Sequence, residues 1–326
     1  MKKQTKPPAE TAVAALQKGL IEAGVVRIAS TENEPPLVRA VMAGNLTQVC
    51  ELIASGANPN EANKANRNSD NFLGEPPLVH AIRRGKVEIA EALLKAGADA
   101  RYKPLGRSLL AFAIWEQQYK CVPLLLQWGA DVNSKRRGVP SPLEAAIDRG
   151  SLESFRLLLE HGADPTAPAS DGGCILTNVL FSYKSAASIP AHFVDLPGFA
   201  EKVKNAPALL EIARDILKRR PDVNRADRNG STPLIPACAA APFDIIEEIL
   251  KLGGNPNVEL NAKHMDAGLR PVHCAILGDR VEVLALLQHF DADFDKPLPD
   301  GSDLLQFAQK HEAPKAIDYF QMRAAR

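Results

Sequence analysis

Much of what this sequence lacks is informative. It contains no run of 18 apolar residues, so no transmembrane helix and no membrane insertion are expected. Lys2 and Lys3 precede a stretch broken by Gln17, Lys18 and Glu22, which lacks the apolar core of a signal peptide. Cysteine is sparse and odd in number: Cys50, Cys121, Cys174, Cys238 and Cys274, with no C-x-x-C spacing. Each falls in or beside an expected helix, so all are read as buried, reduced thiols acting as small apolar residues. Such usage fits a reducing compartment, and the expected location is the cytoplasm, or a host cytoplasm for a delivered bacterial protein. Net charge is absent, since 39 Lys and Arg balance 39 Asp and Glu. That argues against a general attraction to nucleic acid or to an anionic membrane. No H-E-x-x-H pairs the seven histidines, so no metal site is expected. Neither G-x-x-x-x-G-K-[ST] nor G-x-G-x-x-G occurs, so no nucleotide cofactor is expected.

What is present is a repeated unit, clearest at Ser141–Pro165. Ser141 suits a helix cap and Pro142 the first helical position, where a missing N–H costs nothing. Leu143, Ala146 and Ile147 make one apolar helical face, and Gly150 supplies a stop. Leu152, Phe155, Leu158 and Leu159 make a second face, closed by Gly162. Two short helices cannot bury these faces alone and require stacked copies. The equivalents of Leu143 are Leu37, Leu78, Leu110, Leu176, Leu234, Val272 and Leu305, most often 32 or 33 residues apart. Helix-opening strings recur as PPLVRA, PPLVHA, SPLEAA, TPLIPA and RPVHCA, and closing turns as Gly56-Ala57-Asn58, Gly97-Ala98-Asp99, Gly129-Ala130-Asp131 and Gly162-Ala163-Asp164.

With this period, helix start and closing turn, the chain resembles the ankyrin-repeat family, whose repeat of about 33 residues opens T-P-L-H-x-A. The resemblance implies an all-α solenoid of seven to eight helix-turn-helix repeats over residues 34–326, joined by short β-hairpin fingers. Residues 1–33 are expected to be a disordered start followed by a helical half repeat that caps the stack. The connection Glu61–Gly74 is longer than the family norm, as is Val258–Leu269. In the third repeat Gln117 stands where neighbours have Gly, and Pro123 lies inside the second helix; both put regular geometry in question. In the fifth, Cys174–Lys184 reads as the first helix and Pro207–Asn224 as the second, so Ser185–Ala206 reads as an insertion.

The resemblance also implies a function. Ankyrin partners are held on a concave face made of finger tips and exposed first-helix positions, and His80 and His273 take the structural histidine position of the helix start. The partner-binding positions carried onto this chain are Phe72, Leu73, Arg83, Arg84, Leu105, Arg107, Trp115, Glu116, Arg137, Arg149 and Phe181. Phe193 in the insertion joins them. Aromatics and arginines dominate interface energetics, and with only two tryptophans in the chain Trp115 stands out. The reading is a monomeric, non-enzymatic module that binds another protein as adaptor, inhibitor or effector. Two rivals make different predictions. A hydrolase would use Ser185 or Ser188 with His192 and Asp195, although no G-x-S-x-G surrounds the serines. A nucleic-acid binder would use the row Arg83, Arg84, Arg107, Arg137 and Arg149, although Glu116 and Asp148 interrupt it. The runs Lys135-Arg136-Arg137 and Lys218-Arg219-Arg220 read as solvated surface.

Overall fold

The computed structural model describes residues 34–62, 74–194, 196, 199–261, 267–298 and 300–324. The expected N-terminal half repeat, the finger residues Phe72 and Leu73, and Asp195 lie outside them. Two compact units divide the chain, Met1–Ala98 and Asp99–Arg326, each with its own core.

In the first unit, α1 (Pro36–Ala43) and α2 (Leu46–Ala54) form one pair, and α3 (Pro77–Arg83) and α4 (Val87–Lys95) the next. First helix packs on first and second on second. Asn45 caps α2 by accepting from the Gln48 N–H, and Gly44, at φ 71°, supplies the left-handed turn between α1 and α2. Only Val49 of α2 is buried, so Cys50 is exposed rather than buried as expected. The other four cysteines are buried, and all five are free thiols.

The second unit holds six pairs: α5 (Leu109–Trp115) with α6 (Cys121–Gln127), α7 (Pro142–Asp148) with α8 (Leu152–Glu160), and α9 (Ile175–Ala187) with α10 (Ala200–Leu217). They continue as α11 (Leu234–Ala240) with α12 (Phe243–Lys251), α13 (Pro271–Leu277) with α14 (Val281–His289), and α15 (Leu304–Lys310) with α16 (Pro314–Ala324). The first helices α5, α7, α9, α11, α13 and α15 stack in sequence, and α8, α10, α12, α14 and α16 stack behind them. The first helices are mostly seven residues long, too short to persist alone. Burial stabilises them instead: every residue of α5 from Leu109 to Ile114 is buried, as is every residue of α7 from Pro142 to Ile147. Caps set where they start. The Ser108 hydroxyl accepts from the Ala111 N–H, and Ser141 and Glu144 form a reciprocal capping box.

Among the described residues there are only isolated antiparallel bridges, Arg136 with Val139 and Pro168 with Cys174, and no strand. Asparagines bind neighbouring closing turns together. Asn133 donates Nδ2 to the Gly162 carbonyl (2.9 Å) and accepts from the Asp164 N–H (3.1 Å). Asn224 does the same with Gly253 and Asn255, and Asn257 with Asp291 and Asp293.

Both irregularities of the third repeat are absorbed locally. Gln117 itself takes the left-handed conformation, at φ 58°, that glycine takes elsewhere. Pro123 is the third residue of α6, where its absent N–H has no intrahelical partner to lose. The fifth repeat is reorganised more deeply. Its first helix runs on to Ala187, and α10 begins at Ala200, with Pro207 inside it. Much of the stretch read as an insertion therefore extends the two helices, leaving 188–199 as the connection. Pro207 suits a helix start, so the sequence places the boundary there; in the structure the helix runs back through it to Ala200, tied to α7 by Asn205.

Candidate functional site

Around α5, α7, α9 and α10 of the second unit, the chain places several of the candidate residues together. Trp115 is the last residue of α5 and is half-buried. The guanidinium carbons of Arg107 and Arg149 lie 4.8 and 4.5 Å from its ring centroid. Arg107 closes the short turn Pro104–Gly106, and Arg149 is the C-cap of α7. A planar, weakly hydrated guanidinium stacks well on the electron-rich face of an indole. Neither arginine is in an ion pair among the described residues. The Nε of Arg149 is buried and has no hydrogen-bond partner there.

Beside this stack lies a recess of about 460 Å³, lined among others by Asp148, Arg149, Phe181, Ser185, Lys202 and Asn205. The Asn205 Nδ2 donates to the Arg149 carbonyl at 2.9 Å and so ties the extension of α10 to the end of α7. This approach requires Gly150: at φ 60°, a side chain there is strained, and a Cβ would lie 2.4 Å from the Asn205 Cβ. Asp148 keeps some surface open to water, yet surrounding protein desolvates it enough to raise its carboxyl to about 6. Glu144 adds to the rise, and Arg149 and Arg107 oppose it. Burial also pushes the Tyr119 hydroxyl up from its ordinary value.

The remaining candidates fall elsewhere. Glu116 is the C-cap of α5 beside Trp115. Leu105 is exposed and held at φ 53°. Arg137 lines a different recess, between connections. Phe193 is exposed on the 188–199 connection, its ring centroid 6.2 Å from that of Phe199. Arg83 and Arg84 belong to the first unit. Arg83 grips the buried Glu75 through two hydrogen bonds of 2.6 and 2.7 Å, while Arg84 is exposed. The arginine row is thus not a uniform set of cations at the surface.

The hydrolase ingredients do not assemble among the described residues. Ser185 lines the recess, but His192 packs its ring 4.1 Å from Phe193 and bonds to neither Ser185 nor Ser188. No group of three His, Cys, Asp or Glu among the described residues is placed to hold a metal ion. No described helix is long and apolar enough to cross a membrane.

His80 and His273 are buried in α3 and α13. Burial lowers their imidazoles to about 4 and about 3. His273 accepts the Arg270 N–H through Nδ1 at 3.0 Å, the same reach back to the helix start that Glu144 makes in α7. Sequence reasoning missed Lys202 and Asn205 as companions of the candidate residues. Their signal was available: Glu201, Asn205 and Leu209 recur every four residues, continuous with the helix that follows Pro207.

This architecture agrees with the comparisons. A family model described as ankyrin repeats, in three copies, matches residues 37–136, and a further ankyrin repeat matches residues 141–170. The chain thus carries ankyrin repeats over residues 37–136 and 141–170, part of its length. Ankyrin repeat and SOCS box protein 16 of Homo sapiens is 26% identical over 277 residues, covering 73% of this chain and 60% of that protein. Ankyrin repeat and SOCS box protein 11 of Danio rerio is 40% identical over 98 residues, covering 29% of this chain and 33% of that protein. The chain thus spans less than two thirds of the length of these relatives. Among solved structures, an ankyrin repeat domain from Acinetobacter baumannii AYE superposes with a TM-score of 0.53 at 21% identity, covering 68% of this chain and 98% of that one. At that identity the likeness concerns the fold. The repeats make the chain a protein-interaction module of the all-α solenoid type.

Proposed function

We propose that the chain binds another protein, without chemistry of its own, at the Trp115 stack and its adjoining recess. The observation that carries this is the half-buried Trp115 indole with the guanidinium groups of Arg107 and Arg149 stacked on it, neither of them in an ion pair among the described residues. The stacking already holds both groups in place, so little ordering cost remains when a partner's carboxylate or carbonyl pairs with their outer N–H groups. Tryptophan and arginine are also the residues most often found at the energetic centre of protein interfaces. The module acts as an adaptor or inhibitor, and its five free thiols suit a reducing compartment such as the cytoplasm.

The test is capture from lysate by the immobilised full chain, read by quantitative mass spectrometry. Trp115→Ala and Arg149→Lys should both lose the same proteins that the wild type retains. Lysine keeps the charge but loses the fork and the stacking. A retained set that is identical for the wild type and both variants overturns the reading.

A further inference from the structure

The cationic run Lys135-Arg136-Arg137, on its own a solvated stretch, acquires a setting from the fold. It forms the connection between α6 and α7, where Arg136 and Val139 bridge. The next connection, at Ala169–Gly173, lies against it, with the Gly138 N–H donating to the Ser170 carbonyl at 3.3 Å. A third connection brings Arg228 alongside. Together these enclose a recess of about 430 Å³ with Val139, Pro168 and Ala169 in its lining. Lys135, Arg136, Arg137 and Arg228 are all exposed, and none is in an ion pair among the described residues.

The recess carries these four cations against two carboxylates, Glu144 and Asp171, and neither carboxylate is in an ion pair among the described residues. Glu144 is buried and committed: Oε1 accepts from the Ser170 N–H (2.9 Å) and hydroxyl (2.7 Å), and Oε2 from the Ser141 N–H (2.9 Å). Asp171 accepts from the Gly173 N–H at 2.9 Å. These bonds also fix the floor, so the recess exists before anything binds. The Arg136 guanidinium lies over Gly106, and Leu105 stands exposed beside that glycine with its backbone in the left-handed region.

We infer that the recess between these connections binds an acidic peptide segment of a partner protein, with one apolar side chain of that segment anchored against Val139, Pro168 and Ala169. Four uncommitted cations around a partly apolar recess fit alternating carboxylates and an apolar anchor. A nucleic-acid backbone would use the cations and leave the apolar lining unfilled. The inference rests on the protein-recognition reading and adds the chemistry of the partner at a second place on the same unit. Electrostatic attraction at an exposed rim weakens with salt, while the anchor contact does not.

The experiment selects random dodecapeptides displayed on phage against the full chain, then measures the enriched peptides by fluorescence anisotropy. Enriched peptides should carry several Asp or Glu around an apolar residue. Arg136→Glu with Arg228→Glu should weaken them at least tenfold, with circular dichroism confirming an unchanged fold. Val139→Trp, which fills the recess and keeps every cation, should weaken them to a similar degree. Trp115→Ala should leave them unaffected, which separates this site from the stack. The inference is overturned by selected peptides with no acidic excess, or by equal binding to the charge-reversed variant. Full retention by Val139→Trp, or tighter binding of a single-stranded DNA dodecamer than of any peptide, overturns it as well. Peptides lost only in Trp115→Ala would leave the stack standing and remove the second site.

Discussion

The fourth and fifth repeats of this chain are neighbours built on one plan with different results. The fourth has helices of seven and nine residues, a capping box at its start and Gly150 at the turn between them. The fifth has helices of thirteen and eighteen residues, joined by a connection that exposes Phe193, Leu196 and Phe199. Both bury the same kind of face: Phe155 and Leu158 in α8, and Leu209, Ile212, Ile216 and Leu217 in α10. The difference shows that a stacked repeat fixes what lies between its neighbours and leaves the helix-to-helix turn free to grow. Growth here was not idle, since the added turn of α10 returns Asn205 to Arg149 in the adjacent repeat.

If this contrast is right, the largest effects belong to the regular repeat. Phe155 is fully buried, and Phe155→Ala should cost about 3–5 kcal/mol in urea unfolding. Phe193→Ala, on the enlarged connection, should change stability by less than about 0.5 kcal/mol. Equal losses would remove the distinction between frame and insertion.

The next effect separates repeats that carry a histidine at the helix start from the fourth, which carries Glu144 there. Burial holds the His80 imidazole neutral down to about 4, with Arg83 and Arg84 opposing its charge and Glu75 favouring it. The unfolded chain takes up that proton near 6.5, so the contribution to stability is whole above that pH and is lost as pH falls toward 4. The loss should reach on the order of 3 kcal/mol near pH 4. Urea midpoints between pH 7.5 and 4, compared with His80→Gln, would measure it; a variant as acid-sensitive as the wild type would refute it.

Smaller effects probe the junction between the two repeats. Asn205→Ala removes one bond to the Arg149 carbonyl and should cost about 1 kcal/mol. It should also weaken partner capture at the Trp115 stack. Stability lost with capture unchanged would mean that the helix extension is structural only. The smallest change has the opposite sign. Gln117→Gly relieves a left-handed side-chain residue at φ 58° and should raise stability by roughly 0.5 kcal/mol, seen as a higher Tm by calorimetry.

Much of this was legible in the residues. Leu143, Ala146 and Ile147, spaced at three and four, identify a buried helical face because a helix has one period and water has one preference. Gly150 and Ser141 locate the ends for equally local reasons. Pro207 misled for the same cause: a proline suits a helix start, although the four-residue spacing of Glu201, Asn205 and Leu209 runs the helix through it. Cys50 misled because helical position alone does not tell which neighbour covers a face.

What the sequence determined by itself is the repeat: its period, its apolar faces, its caps and its stops, all set by interactions within a few residues. Which of the arginines are committed and which remain open was decided by tertiary structure alone. Arg83 is held by Glu75, Arg149 rests on Trp115, and Arg136 lines one recess with Arg228, 92 positions further on in the sequence. Charge and stacking act through space, and only the stacked fold sets those distances.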